Sequence, residues 1–156
     1  MTSEQRANLA KLSAYLKALP EDYARFEMAT FLGVNRRDTS DIFEMPELEQ
    51  YLRQNGGPPG CGTVACAVGH GPAAHIFMTE KEITGGFAGA PDWDAYVERV
   101  FGTEDDTFEW MFGGDWHRCD NTPLGAAKRI DYFLAYGVPE DFDPSCPETY
   151  DVEIYQ

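Results

Sequence analysis

Lysine and arginine are scarce in this chain. Only 12 of its 156 residues are Lys or Arg, against 27 Asp and Glu, and the formal net charge is −15 at pH 7. Proteins that bind nucleic acid or an anionic membrane directly need cationic side chains at the contact surface. The composition therefore argues against both of these partners, and it favours a basic protein surface, such as that of a nucleic-acid-binding protein.

Long apolar runs are also missing. No stretch approaches the roughly 18 apolar residues that a membrane span needs, and the polar start MTSEQRANLAKLSAYLK does not resemble a secretion signal. We therefore expect a cytoplasmic protein. Its cysteines, Cys61, Cys66, Cys119 and Cys146, are too few for a disulfide scaffold, and a reducing compartment would keep them as thiols.

Proline, glycine and capping residues divide the chain into short helical segments. Apolar residues recur at helical spacing after Thr2 or Ser3, a stretch that ends at Pro20. The same pattern predicts further helices in PEDYARFEMATFL, MPELEQYLRQNGG, PDWDAYVERVFG, TEDDTFEWMFGG and NTPLGAAKRIDYFLAYG. We predict an all-α fold, an irregular bundle of short helices forming a single domain over residues 1–156, with an acidic C-terminal segment at 137–156.

Two details of this fold are specific enough to check. KEITGGF is the one candidate for a small β-hairpin. The last helix should bury a stripe of apolar residues at helical spacing. The predicted members of that stripe are Leu124, Ala127, Ile130, Phe133 and Leu134.

The stretch GGPPGCGTVACAVGHGPAAH is unusual because it combines two cysteines and two histidines with small residues. From Gln54 to Thr79 the chain contains no charged residue, so the segment should lie inside the protein. We predict a helix of about two turns from Val64 to His70. Its small residues would let neighbouring helices approach closely.

Two chemical interpretations compete with simple packing. Cys61 could act as a nucleophile at a helix N-terminus, with His75 or His117 as its base. Cys66 and His70, four residues apart on one helix face, could instead be two ligands of a structural zinc. Buried, inert thiols are the simpler interpretation, since cysteine is among the most frequently buried residues. On that interpretation the protein is not an enzyme and needs no cofactor.

The motif CGTVACAVGH, with DNTPLGAAKRI downstream, resembles a group of uncharacterised bacterial and phage proteins. That group carries a Cys-Gly-Thr-x-Ala-Cys-x-x-Gly-His core, and the resemblance extends to YLKALPEDYARFEM and WMFGGDW. It implies an organisation of the chain rather than an activity. Phage kinship suits a compact inhibitor whose carboxylates imitate DNA phosphates and occupy the groove of a host defence protein, as some anti-restriction and anti-CRISPR proteins do.

The predicted partner-binding residues follow from the same charge pattern. After Arg129 the chain has no Lys or Arg, and the carboxylates beyond the last helix form an acidic surface. Trp110 and Phe112 fall on different sides of a short helix, which makes Trp110 a candidate aromatic anchor beside that surface, although core packing is the competing interpretation. The carboxylates assigned to partner binding are Glu140, Asp141, Asp143, Glu148, Asp151 and Glu153.

The sequence thus favours an acidic protein-binding module, in its sharpest form an inhibitor that mimics nucleic acid. The alternatives are a small cysteine-dependent enzyme that uses Cys61 and a zinc-binding domain that uses Cys66 and His70.

Overall fold

The computed structural model describes residues 1–20, 23, 26, 28, 33–34, 51–53, 63–103 and 105–143. Most of this part is helical, which confirms the all-α fold and the bundle of short helices. The α-helices are α1 (Ser3–Lys17), α2 (Glu80–Thr84), α3 (Trp93–Phe101), α4 (Asp105–Phe112) and α5 (Pro123–Tyr136). Short 3₁₀ turns cover Val68–His70, Pro72–Ala74, Phe87–Gly89 and Gly114–Arg118.

Local capping explains where the longer helices begin. Thr2 and Gln5 form a capping box at α1, and the Asp92 carboxylate accepts a hydrogen bond from the third residue of α3. Thr122 caps α5, which has Pro123 at its first position. These starts match the predicted ones, because side-chain oxygens satisfy backbone N–H groups that have no partner within the helix.

β-structure is confined to one small element in the described part of the chain. Strands β1 (Gly33–Val34) and β2 (Thr63–Val64) pair antiparallel, and Phe26 forms a parallel bridge with Ala65. The predicted hairpin at KEITGGF is wrong, since Glu80–Thr84 is helix α2. Thr79 and Glu82 form a capping box there, and this local bonding favours the helix.

Two predicted helices fall largely on residues that the structure does not describe. In PEDYARFEMATFL, only residues 20, 23, 26 and 28 are described, and Phe26 lies in a β-bridge rather than a helix. In MPELEQYLRQNGG, residues 51–53 are helical and the remainder lies outside the described residues. No described helix has both the length and the apolar character needed to cross a membrane.

The core forms where α1 packs along α5 and against α3. Asn8 Nδ2 donates to the carbonyl of Val100 at 3.0 Å, and Ser13 Oγ donates to Asp131 Oδ1 at 2.6 Å, so each neighbouring helix is also tied to α1 by a hydrogen bond. The apolar residues at helical spacing that predicted this helix form its buried face, and three of these leucines are fully buried. They are Leu9, Leu12 and Leu16.

The buried stripe of α5 differs from the predicted one. Ala127 and Ile130 are fully buried as expected, whereas Leu124 is 41% exposed. Arg129 takes part in the buried face instead and is only 1% exposed. The reason is a partner for its charge elsewhere in the core, which the helical periodicity of α5 alone does not reveal.

Candidate functional site

The segment that carries Cys66 and His70 runs through the protein core. Tyr51 Oη donates to the carbonyl of Gly69, and Tyr96 Oη donates to the carbonyl of Ile76, both at 2.5 Å. These two phenols tie the segment to the helical residues 51–53 and to α3. The predicted interior position is confirmed here, since residues 65–72 are all buried.

The predicted helix from Val64 to His70 is wrong. Val64 ends strand β2, and Ala65 continues into the bridge with Phe26. Only Val68–His70 is helical, as a 3₁₀ turn, and a second such turn follows at Pro72–Ala74. Strand pairing supplies the first residues with backbone partners, and Pro72 lacks the N–H that a continuing α-helix would use.

His70 is a fully buried imidazole in an aromatic environment. Its Nδ1 lies 2.9 Å from the carbonyl oxygen of Cys66, and this oxygen can only accept, so Nδ1 carries the proton. Nε2 is buried and has no hydrogen-bond partner within the described part of the chain. The rings of Tyr15, Tyr23 and Phe26 lie 5.7–6.2 Å from the imidazole. Burial lowers the pKa of His70 to about 4, so the ring is neutral at physiological pH.

Cys66 is similarly unsuited to nucleophilic chemistry. The side chain is 2% exposed, and burial raises the pKa of its thiol to about 11. A thiol with a raised pKa and no access to solvent forms little of the reactive thiolate at neutral pH. The Cys66 thiol and the His70 imidazole are therefore two buried groups that are both neutral at physiological pH.

The zinc hypothesis assumed that Cys66 and His70 lie on one helix face, and the structure differs from this assumption. Cys66 and His70 do not share an α-helical face, and the main-chain carbonyl of Cys66 already binds Nδ1 of the histidine. Among the residues that the structure describes, no group of three or more His, Cys, Asp or Glu side chains is arranged to hold a metal ion.

The catalytic alternative paired Cys61 with His75 or His117. Among the residues that the structure describes, no contact joins any two of these three. His75 is exposed, has a left-handed backbone with φ of 62°, and packs its ring edge-on against Phe77 at 6.0 Å. His117 lies in the turn Gly114–Arg118, and its side chain is outside the described set. The position of Cys61 also lies outside the described residues.

Trp110 is a core residue, so its predicted role as an exposed partner-binding anchor is wrong. The side chain is fully buried, and its indole Nε1 donates to the carbonyl of Arg129 at 3.2 Å. Its ring meets those of Trp116 and Phe142 edge-on at 5.7 and 5.2 Å. Phe112 is also buried, at 2% exposure. Both aromatic side chains are therefore covered, Trp110 by Trp116 and Phe142, and Phe112 by Phe101, whose ring centroid lies 5.5 Å away.

Trp110, Trp116 and Phe142 form an aromatic cluster, and a buried ion pair that sequence reasoning missed lies beside it. Arg129 Nη1 donates to Asp120 Oδ2 at 2.5 Å, and the guanidinium carbon lies 4.2 Å from the ring centroid of Trp116. The hydroxyl of Thr122 donates to the other carboxylate oxygen of Asp120 at 2.8 Å. One signal was present in the sequence: Arg129 comes three residues after Ala126 and four before Phe133, a spacing that places it on the apolar face of α5.

The first part of the predicted acidic surface is anchored to the core. Glu140, Asp141 and Asp143 are exposed, while Phe142 between them is half-buried. The Phe142 ring stacks on Trp116 with an interplanar angle of 6° and a centroid distance of 6.4 Å, and its backbone N–H donates to Pro139 at 3.1 Å. We call residues 140–143 the acidic turn. The other predicted carboxylates, Glu148, Asp151 and Glu153, lie outside the described residues.

Comparison with known proteins leaves the function to be argued from the site itself. No protein-family model, curated protein or solved structure matches this chain.

Proposed function

We propose that this protein is an acidic binding module that acts on a basic protein surface, as an inhibitor that imitates nucleic acid and covers the groove of a nucleic-acid-binding protein. The observation that carries the proposal is the acidic turn. Its three exposed carboxylates follow α5 at a fixed place, because Phe142 packs into the aromatic cluster. Carboxylates held in position can match a basic surface at a lower entropic cost than carboxylates on a loose tail.

Internal pairing of basic side chains supports this proposal. In the described part of the chain, five basic side chains form ion pairs with carboxylates of the same protein: Lys17, Arg53, Arg99, Arg118 and Arg129. Two more, Arg6 and Lys11, donate to main-chain carbonyls. These basic side chains already contact other groups of the protein. The excess carboxylates therefore dominate the electrostatic field at the protein surface.

The proposed inhibitor would attract a basic partner over long range. Electrostatic complementarity mainly accelerates encounter, and its effect weakens as salt screens the charges. A basic partner should therefore associate more slowly at high ionic strength. Dissociation should change less, because it depends chiefly on short-range contacts.

The test is capture of partners from a host lysate that contains nucleases and defence proteins, followed by binding kinetics on the purified partner. The variant Glu140→Gln/Asp141→Asn/Asp143→Asn should lower the association rate and flatten its dependence on salt. The matched control is Glu4→Gln/Glu98→Gln/Asp106→Asn, which removes the same charge from exposed positions on α1, α3 and α4. Competition by double-stranded DNA for the same partner should abolish capture.

Equal kinetics for the acidic-turn variant and its control would contradict the proposed role of the acidic turn. A captured partner that binds DNA and this protein at the same time would contradict the mimicry. Cys61→Ser should leave partner binding intact. Loss of biological activity in that variant, with folding and binding preserved, would support the cysteine-dependent alternative instead.

A further inference from the structure

A second surface feature is an open cleft between α2 and α3. Its volume is about 440 Å³, and its walls come from the loop Gly85–Pro91 and the first residues of α3. The aromatic residues Phe87 and Trp93 and the acidic residues Asp92 and Asp94 line it. The cleft thus combines aromatic surface with negative charge.

Phe87 stands out among the described residues because it is an apolar side chain left in solvent. It is 96% exposed, more than any other large hydrophobic side chain in the described part of the chain. Folding normally buries such a ring, and an exposed aromatic side chain beside polar groups is a typical binding anchor.

The loop holds Phe87 outward with a defined backbone. Gly86 N donates to the carbonyl of Ala90 at 2.9 Å, and Ala90 N donates to the carbonyl of Phe87 at 3.1 Å. Ala88 has φ of 55° and ψ of 28°, a left-handed conformation that is unfavourable for alanine. Surrounding hydrogen bonds therefore hold a strained backbone next to the exposed ring, and strain of this kind is concentrated at binding and catalytic sites.

Two residues that line the cleft at the start of α3, Asp92 and Trp93, are also held in place. Asp92 N donates to the carbonyl of Glu82 at 2.6 Å, and Asp92 Oδ1 accepts from Ala95 N at 3.0 Å. The Trp93 ring meets Tyr96 edge-on at 5.7 Å, and Tyr96 is fully buried. Asp92 and Trp93 are therefore already ordered in the free protein, and this preorganisation lowers the entropic cost of binding a ligand.

We propose that this cleft binds an arginine side chain of a basic protein partner. A guanidinium stacks on aromatic faces and forms paired hydrogen bonds with a carboxylate, whereas an ammonium behaves as a compact, strongly hydrated charge. Asp92 Oδ1 already accepts from Ala95 N, whereas Asp94 is exposed. An open cleft lined by Phe87, Trp93 and the Asp94 carboxylate matches the flat guanidinium. The inference rests on the proposed binding to a basic protein, and it assigns the side chain that the cleft would recognise.

The test uses acetylated, amidated hexaarginine as the probe and follows the indole N–H signals of the protein by NMR. The chain has three tryptophans, and Trp110 and Trp116 are buried, so the variant Trp93→Phe identifies the signal of the cleft. Hexaarginine should shift the Trp93 signal in a saturable way. Hexacitrulline, which keeps the shape of the side chain without its charge, should leave it in place.

Matched variants then assign the contacts. Phe87→Ala should weaken hexaarginine binding about two- to fivefold, as expected for an exposed cation–π contact, and Phe87→Tyr should restore it. Asp94→Asn should weaken binding to a similar extent. The controls are Tyr136→Ala and Asp106→Asn, which remove an exposed ring and an exposed carboxylate outside the cleft, and both should have smaller effects.

Several results would overturn the assignment. They are equal losses in the cleft variants and their controls, an unmoved Trp93 signal, and hexalysine binding as tightly as hexaarginine. If hexaarginine binds but shifts only residues of the acidic turn, the cleft proposal fails and the proposed function stands. If cleft binding follows these expectations but DNA does not compete with the captured partner, the arginine site stands and nucleic-acid mimicry fails.

Discussion

Arg129 and Asp120 form an ion pair inside the core, with Arg129 Nη1 at 2.5 Å from Asp120 Oδ2 and side-chain exposures of 1% and 9%. Trp116 lies under the guanidinium, and the indole of Trp110 donates to the carbonyl of Arg129. The pair thus links the start of α5 to the aromatic cluster that also supports the acidic turn. Substitutions that break this ion pair should therefore also displace the acidic turn, because Phe142 packs on the same tryptophans.

Removal of one partner of the ion pair should be costly. Arg129→Met leaves the Asp120 carboxylate buried without its cation, and we expect a loss of about 3–5 kcal/mol in the free energy of unfolding. Urea denaturation provides the measurement. Lys17→Met breaks a pair with Asp131 whose side chains are 45% and 43% exposed, and it should cost about 1 kcal/mol or less. Similar costs at the two sites would contradict this account.

Gly125→Ala should destabilise the protein although alanine is the better helix former. Helix propensity alone favours alanine by up to about 1 kcal/mol. A Cβ at this position, however, would overlap the Asp120 carboxylate, which Arg129 and Thr122 hold in place. We expect a net loss of about 1–3 kcal/mol. In an Asp120→Ala/Arg129→Met background the same change should cost much less, and an unchanged cost there would rule out the clash.

His70 should make stability depend on pH. Burial lowers the pKa of His70 to about 4 from the ordinary 6.5, so between these values the unfolded chain binds a proton that the native protein does not. The stabilising contribution is complete above pH 6.5 and declines as the pH falls toward 4, by about 3 kcal/mol in total. Urea denaturation across this range provides the measurement.

His70→Phe is the control for this titration. It keeps an aromatic ring and removes the titrating group, so the difference in pH dependence between the two proteins isolates His70 from the many carboxylates. The variant also removes the hydrogen bond to the carbonyl of Cys66, a loss that does not vary with pH. Identical pH dependence in both proteins would show that the imidazole titrates normally.

Cys66 should resist thiol reagents in the folded protein. Its thiol is buried and has a pKa raised to about 11, whereas the Cys119 side chain is exposed. Iodoacetamide at neutral pH should modify Cys119 first, and Cys66 only after urea unfolds the chain. Peptide mapping by mass spectrometry separates the two sites. Rapid modification of Cys66 without urea would overturn its assignment as a packing residue.

The helix boundaries were predictable because they depend on neighbouring residues. Thr2, Asp92 and Thr122 each supply a side-chain oxygen to the first turn of a helix, and Gly102 ends α3 in the left-handed conformation with φ of 59°. These contacts span only a few residues, so the sequence contains both partners in one short window. The same holds for the buried leucines of α1.

The form of the central segment required contacts that are distant in the chain. An absence of charge from Gln54 to Thr79 correctly indicated an interior position for Cys66 and His70, but burial is compatible with either helix or strand. The strand pairing at Thr63–Val64 comes from residues 33–34, and the bridge at Ala65 comes from Phe26. Partners at such separations leave no local pattern.

The sequence by itself determined the helical class, the capped ends of the helices and the surplus of negative charge, because each depends on composition or on residues a few positions apart. The tertiary structure alone decided which of the aromatic and charged side chains are exposed. Trp110 is buried because α5 and Phe142 close over it, Arg129 is buried because Asp120 neutralises it, and Phe87 is exposed because its loop turns the ring outward. Each outcome depends on contacts between residues that are distant in the chain. The free energy of those contacts outweighs the local preference of the side chain.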